Sequence, residues 1–78
     1  MKDTLLYIIS KIVEKPDDVK IAEEDNEGVL NFVVTVSKED MGRVIGKSGK
    51  VIRSIRNVMK IPAMKENKKI FISLSENP

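Results

Sequence analysis

The run Gly46-Lys47-Ser48-Gly49, set between two amphipathic stretches, constrains this chain more than any other feature. Glycines at both ends of a four-residue segment let the backbone turn sharply and expose its N–H groups. Without a Cβ at those positions, a sugar-phosphate backbone can come close. Lys47 and Lys50 add positive charge at the same spot. A loop of this form opening onto a helix is suited to holding phosphates.

Those phosphates could belong to a nucleotide or to a nucleic-acid strand. The nucleotide loop requires Gly, four residues, then Gly-Lys-Ser/Thr. Here Gly42 and Gly46 have three residues between them before Lys47-Ser48, so the loop is one residue short. Val44 and Ile45 inside it are β-branched and resist positive φ. A chain of 78 residues is also too short for a nucleotide-binding sheet with a second, acidic, metal-binding strand. The spacing therefore favours a strand.

Periodicity places the loop within a fold. Leu5, Leu6, Ile8, Ile9, Ile12 and Val13 share a broad face at helical spacing, which predicts a helix over 3–15, capped by Asp3 or Thr4 and ended by Pro16. Val19 to Glu23 alternates as a short strand, and Glu24 to Gly28 reads as a polar turn. Val29 to Val36 is the strongest β signal, with Leu30, Phe32, Val34 and Val36 on one side. The short turn implies an antiparallel hairpin. Ser37, with Asp40 in a capping-box-like role, opens a short helix that stops at Gly46. Ser48 is placed to cap the next helix, Gly49 to Lys60. There Val51, Ile52, Ile55, Val58 and Met59 gather on an arc opposite Lys50, Arg53, Arg56, Asn57 and Lys60. Pro62 forbids simple continuation, so 61–68 reads as a loop. Lys69 to Leu74 is the last strand, and Ser75 to Pro78 a frayed tail.

The order is α-β-β-α-α-β. A helical crossover between the last two strands implies that they run parallel. The expected architecture is α+β: a three-stranded mixed sheet covered on one face by three helices. The length allows one small domain, 1–78.

Charge is segregated. Residues 1–37 hold four Lys/Arg and eight Asp/Glu, whereas residues 38–69 hold ten and three. Positive charge thus concentrates around the glycine loop, a footprint for polyanions. With no histidine and no cysteine, the commonest general base and metal ligands are missing, so neither an enzyme nor a cofactor or metal site is expected. No signal peptide is visible, and Leu5 to Val13 is too short to span a bilayer, which points to a cytoplasmic protein.

The pattern aliphatic-Ile-Gly-x-x-Gly-x-x-Ile, filled by Val44-Ile45-Gly46-Lys47-Ser48-Gly49-Lys50-Val51-Ile52, resembles the signature of the KH domain, whose GxxG loop clamps about four nucleotides. The bland alternative is a helix corner with glycine at its C-cap. Forty-five residues precede the loop and twenty-nine follow Gly49, which fits the type II arrangement. Across essentially the whole chain, segments such as 12–19 and 40–47 look like the small single-domain bacterial RNA-binding proteins of the KhpA type. Ser48 stands where that pattern commonly has an acidic residue, and Lys50 where it commonly has arginine.

The resemblance implies single-stranded RNA binding in a bacterial cytoplasm, as an RNA chaperone or post-transcriptional regulator. It also implies association with itself, as a homodimer, and with a larger KH-containing partner of the KhpB (Jag) type. The backbone from Gly46 through Lys47 and Ser48 to Gly49 would pack against the sugar-phosphate chain, with Lys47 and Lys50 supplying charge and Arg43, Arg53 and Arg56 extending a basic rim. Val44, Ile45 and Ile52 would line a shallow aliphatic groove for bases, although Ile45 and Ile52 suit the core as well. Tyr7, Phe32 and Phe71 all lie far from the loop in sequence, so stacking on aromatics is not expected. Ile61, Ala63 and Met64, rimmed by Lys60 and Lys65, form a candidate apolar patch for self-association, unless the loop folds back and buries Ile61 and Met64. The competing classes are a KH-like interaction or dimerisation module that has lost RNA contacts, and a ribosome-associated assembly factor.

Overall fold

A computed structural model describes residues 1–76. The elements run α1 (Lys2–Ile12), β1 (Lys20–Asn26), β2 (Val29–Val36), α2 (Lys38–Ile45), α3 (Lys50–Lys65) and β3 (Lys69–Glu76). This is the expected α-β-β-α-α-β order of a type II KH arrangement. β2 lies at the centre of the sheet, antiparallel to β1 and parallel to β3. Leu30, Phe32, Val34 and Val36 are buried beneath the helices, while Asn31, Val33 and Thr35 alternate towards the uncovered face. Leu5 and Ile9 of α1, Val44 of α2, and Ile52, Ile55 and Met59 of α3 complete the core.

Several boundaries differ from expectation, each for a tertiary reason. α1 ends at Ile12, not at residue 15, and Val13 is already extended, with φ −86° and ψ 156°. The next amides leave the helix because a buried carboxylate captures them: Glu14 N–H donates to Asp40 Oδ1 and Lys15 N–H to Oδ2, both at 2.9 Å. α1 begins at Lys2 with Met1 at its N-cap, so neither Asp3 nor Thr4 caps it. β1 extends to Asn26, which pairs with Val29. Its turn is only Glu27-Gly28, both at positive φ (52° and 85°), as a two-residue hairpin with a primed turn requires. The charged residues that looked like a loop form an edge strand, where charge blocks unwanted strand pairing.

α3 runs through Pro62 to Lys65. The expected loop at 61–68 is therefore mostly helix. Burial of Ala63 holds the extra turn. Asn67, at φ 56°, ends it in a Schellman motif: Lys68 N–H donates to the Ala63 carbonyl at 2.9 Å and Asn67 N–H to Met64 at 3.0 Å. Ser75 and Glu76 continue β3 instead of fraying. The rest of the expected tail, residues 77–78, lies outside the described residues.

Candidate nucleic-acid interface

The glycine loop joins α2 to α3. Gly46 N–H closes α2 on the Gly42 carbonyl at 2.9 Å, then the chain turns with φ 76° and ψ 173° at Gly46. That conformation is accessible to glycine alone. Space excludes other residues too: a Cβ at Gly46 would overlap the Val51 side chain and sit 2.8 Å from the Val51 nitrogen. Ser48 (φ 56°, ψ 26°) and Gly49 (φ 75°, ψ 16°) follow in the left-handed region. Apart from the adjoining chain, no described atom lies within 4 Å of a Cβ built on Gly49, so the outer side of the turn is open.

Ser48 does not cap α3 as expected. Gly49 holds the N-cap position, and no side chain bonds to the first amides of the helix. The tip of the loop is thus backbone flanked by two exposed ammonium groups, Lys47 and Lys50, which make no ion pair among the described residues.

The three arginines behave differently from the two lysines. Arg43 does not extend a free rim. Its Nη2 donates to Glu14 Oε1 at 2.8 Å and its Nε lies 3.4 Å from Asp40 Oδ1, so two carboxylates offset its charge. Arg53 serves the loop itself, donating from Nη2 to the Ser48 carbonyl at 2.8 Å and from Nε to the Gly49 carbonyl at 3.3 Å. These bonds hold both carbonyls on one side of the turn. Arg56 reaches β3 and donates from Nη2 to the Ile72 carbonyl at 3.2 Å. Its guanidinium spans the crevice between α3 and the sheet edge.

The apolar groove is also built differently. Val44 is fully buried and Ile52 nearly so, so both belong to the core and neither lines the groove; Ile45 is partly exposed. The opposite wall comes from β3. Arg53, Arg56, Asn57 and Lys60 of α3 and the β3 edge at Ile70, Phe71 and Ile72 line an open crevice, with the Phe71 side chain on the uncovered face of the sheet beside Asn31. Phe71 is 57% exposed. Sequence distance hid it, since parallel pairing to β2 makes β3 an edge strand lying alongside α3. The signal was available in the alternation of the strand, which sets Phe71 opposite to Ile70 and Ile72.

Asp40 anchors the whole corner. Besides the Glu14 and Lys15 amides it accepts the Ser37 hydroxyl at 3.1 Å. Ser37 therefore donates to Asp40 and makes no cap bond to the α2 amides, unlike the expected capping box. The Glu14 amide above all holds the Asp40 carboxyl below its usual range; burial opposes this, while the Lys15 amide, the Ser37 hydroxyl and the Arg43 charge reinforce it. α1's exit, α2 and hence the loop are tied together by one side chain.

Comparison with known proteins gives a consistent result. Residues 2–74 match the family model described as the KhpA/KhpB KH domain. A Clostridium perfringens protein named RNA-binding protein KhpA is 42% identical over 74 residues, covering 95% of this chain and 99% of that protein. The Listeria monocytogenes protein of the same name is 40% identical over 97% of this chain and 100% of its own length. One from Chlamydia caviae is 36% identical over 99% of both.

Proposed function

The chain belongs to the KhpA/KhpB KH-domain family, and from that premise we propose that it binds single-stranded RNA through its Gly46–Gly49 loop, acting as an RNA chaperone or post-transcriptional regulator in the cytoplasm. The reading rests above all on the open outer side of that turn, where nothing beyond the adjoining chain meets a Cβ at Gly49 and where Lys47 and Lys50, without an ion pair among the described residues, flank exposed backbone. A phosphate can approach the peptide plane there, and the two ammonium groups offset its charge. Arg53 acts on the Ser48 and Gly49 carbonyls, and the Gly49 N–H turns inward to the Gly46 carbonyl at 3.2 Å, so the turn keeps its shape as a strand approaches. Contacts of this kind fix the register of a strand and read little of its sequence, so sequence preference is weak. An interaction module without RNA contacts has no need of free lysines at an open glycine turn.

Titrating isotope-labelled protein with a single-stranded RNA decanucleotide tests this. Amide shifts should centre on Lys47 to Lys50. Saturable binding that leaves those amides unmoved would overturn it.

A second copy of the chain is the partner we propose for the outer side of α3. Ile61 is 59% exposed, and it follows Val58 at helical spacing. Beside Val58, Ile8 and Ile12 of α1 form an apolar groove with Val51 and Ile55. Ala63, expected in the same patch, is buried and takes no part. A two-fold pairing of this face would set two glycine loops on one assembly and raise avidity for longer RNA. A larger KH-containing protein of the KhpB (Jag) type would compete for the same surface.

A further inference from the structure

We infer that Glu14 is an intramolecular stand-in for an RNA phosphate: it holds Arg43 while no strand is bound, and a strand leaving the glycine clamp along α2 takes Arg43 over. This role presupposes the RNA-binding reading and deepens it, by naming the contact that sets how tightly the site holds its strand.

The exposed side of α2 leads to the loop. Glu39, Gly42 and Arg43 are exposed, whereas Asp40 and Val44 are buried. Spacings of three and four residues place Glu39, Gly42, Arg43 and Gly46 along one ridge. At such spacings neighbouring side chains start about 5–6 Å apart, a gap that an arginine side chain bridges. Arg43 can therefore reach a phosphate next to those held at Lys47 and Lys50. Apart from its own helix and chain neighbours, nothing described lies within 4 Å of a Cβ built on Gly42, so the ridge is bare beside the arginine.

A carboxylate from another part of the chain now occupies Arg43. Glu14 is fixed by its backbone, whose N–H donates to Asp40 Oδ1 at 2.9 Å. From there its Oε1 accepts from Arg43 Nη2 at 2.8 Å. A phosphate oxygen can accept from the guanidinium in the same way. Residues 41–65 hold no Asp or Glu, and among the described residues this is the one ion pair in which an exposed carboxylate engages a cation beside the loop. The pair parts readily, because the two side chains are 50% and 69% exposed and exposed pairs are weak. Releasing Arg43 leaves the corner standing: Asp40 keeps the Glu14 and Lys15 amides and the Ser37 hydroxyl. Binding thus exchanges one ion pair for another. Arg43 adds little net affinity and little salt dependence while Glu14 is present.

The test is a two-by-two set: wild type, Glu14→Gln, Arg43→Gln and the double variant, each titrated with a random-sequence RNA decanucleotide at several salt concentrations. Glu14→Gln should bind about two- to fivefold more tightly, the range that an exposed pair spans. It should also steepen the slope of log K against log salt by about 0.7, one added phosphate contact on a single strand. Arg43→Gln should erase both gains. Asp17→Asn controls for charge, since Asp17 is an exposed carboxylate without an ion pair among the described residues. Its gain should be smaller and should persist in the Arg43→Gln background. In the wild type itself, the Arg43 Nε–H resonance should shift when RNA is added.

Unchanged affinity in Glu14→Gln would make the pair purely structural. A gain that survives Arg43→Gln, or that Asp17→Asn matches, would make Glu14 a general field effect. Either result, or an Arg43 resonance unmoved by RNA, would overturn the stand-in role and leave the clamp intact. No binding by the wild type would overturn the RNA-binding reading itself. Glu14→Gln keeps the backbone amide that Asp40 holds, so the fold persists, which amide spectra verify.

Discussion

Val51 lies directly against the bare face of Gly46, so near that any Cβ there would overlap it. The first turn of α3 is thereby seated on the loop that precedes it. Gly49, three residues on, has open space where its Cβ would be. The two glycines of the motif therefore differ, one packing the helix and one leaving open space on the outer side of the turn. Gly46→Ala should cost about 3 kcal/mol or more, from overlap and from a backbone conformation reserved for glycine. Gly49→Ala should cost about 1–2 kcal/mol, the price of a left-handed non-glycine residue. Urea denaturation of the two variants separates them; equal losses would contradict the packing role of Gly46.

Asp40 should make stability pH-dependent in a defined direction. Its carboxyl is held low in the folded state, chiefly by the Glu14 amide, so its contribution is fully present above the unfolded value of about 3.9. That contribution is lost as pH falls through the still lower folded value. Asp40→Asn should lower the denaturation midpoint at neutral pH, and the gap to wild type should stay constant down to about pH 5 and narrow below about pH 4. Glu39 is also held low, by the Lys15 hydrogen bond, but the pair is exposed and adds little. A gap that widens on acidification would contradict the anchor.

Lys50 and Arg53 should separate in salt titrations. A phosphate contact on a single strand contributes a slope of about −0.7 in log K against log salt. Lys50→Ala should flatten the slope by about that amount. Arg53 instead braces the Ser48 and Gly49 carbonyls, so Arg53→Ala should weaken binding while flattening the slope less. Lys cannot reproduce the two-pronged geometry, so Arg53→Lys should behave like Arg53→Ala. Full recovery by lysine would make Arg53 a simple phosphate contact.

Wherever local spacing governs the outcome, the sequence alone was informative. Alternation in Val29–Val36, helical periodicity in α1 and α3, and the glycine spacing each point to the observed element and to the order that carries the loop. Tertiary contacts decided what local pattern could not. Pro62 reads as a stop, yet Ala63 is buried and Asn67 closes the helix one turn later. Arg43 reads as a free cation, yet Glu14, 29 positions away, claims it. Val44 reads as groove and is core, because α2 turns that side inward. Phe71 joins the crevice only through parallel pairing with β2, a non-local event.

Self-association should depend on the outer side of α3. Ile61→Asp removes an exposed apolar side chain without touching the core, so the fold should survive. Sedimentation equilibrium at tens of micromolar should show a dimer for wild type and a monomer for the variant. A monomeric wild type, or a dimer unchanged by the substitution, would contradict the proposed face.

The most direct measurement is RNA binding by the double variant Lys47→Asp, Ser48→Asp. It puts two negative charges on the exposed tip of the loop, where no core contact is disturbed. Circular dichroism and the thermal midpoint should show a folded protein close to wild type. Affinity for single-stranded RNA should fall by at least about tenfold, as expected of a site dominated by phosphate contacts. A folded double variant that binds single-stranded RNA as tightly as wild type would contradict the assignment of this loop as the clamp.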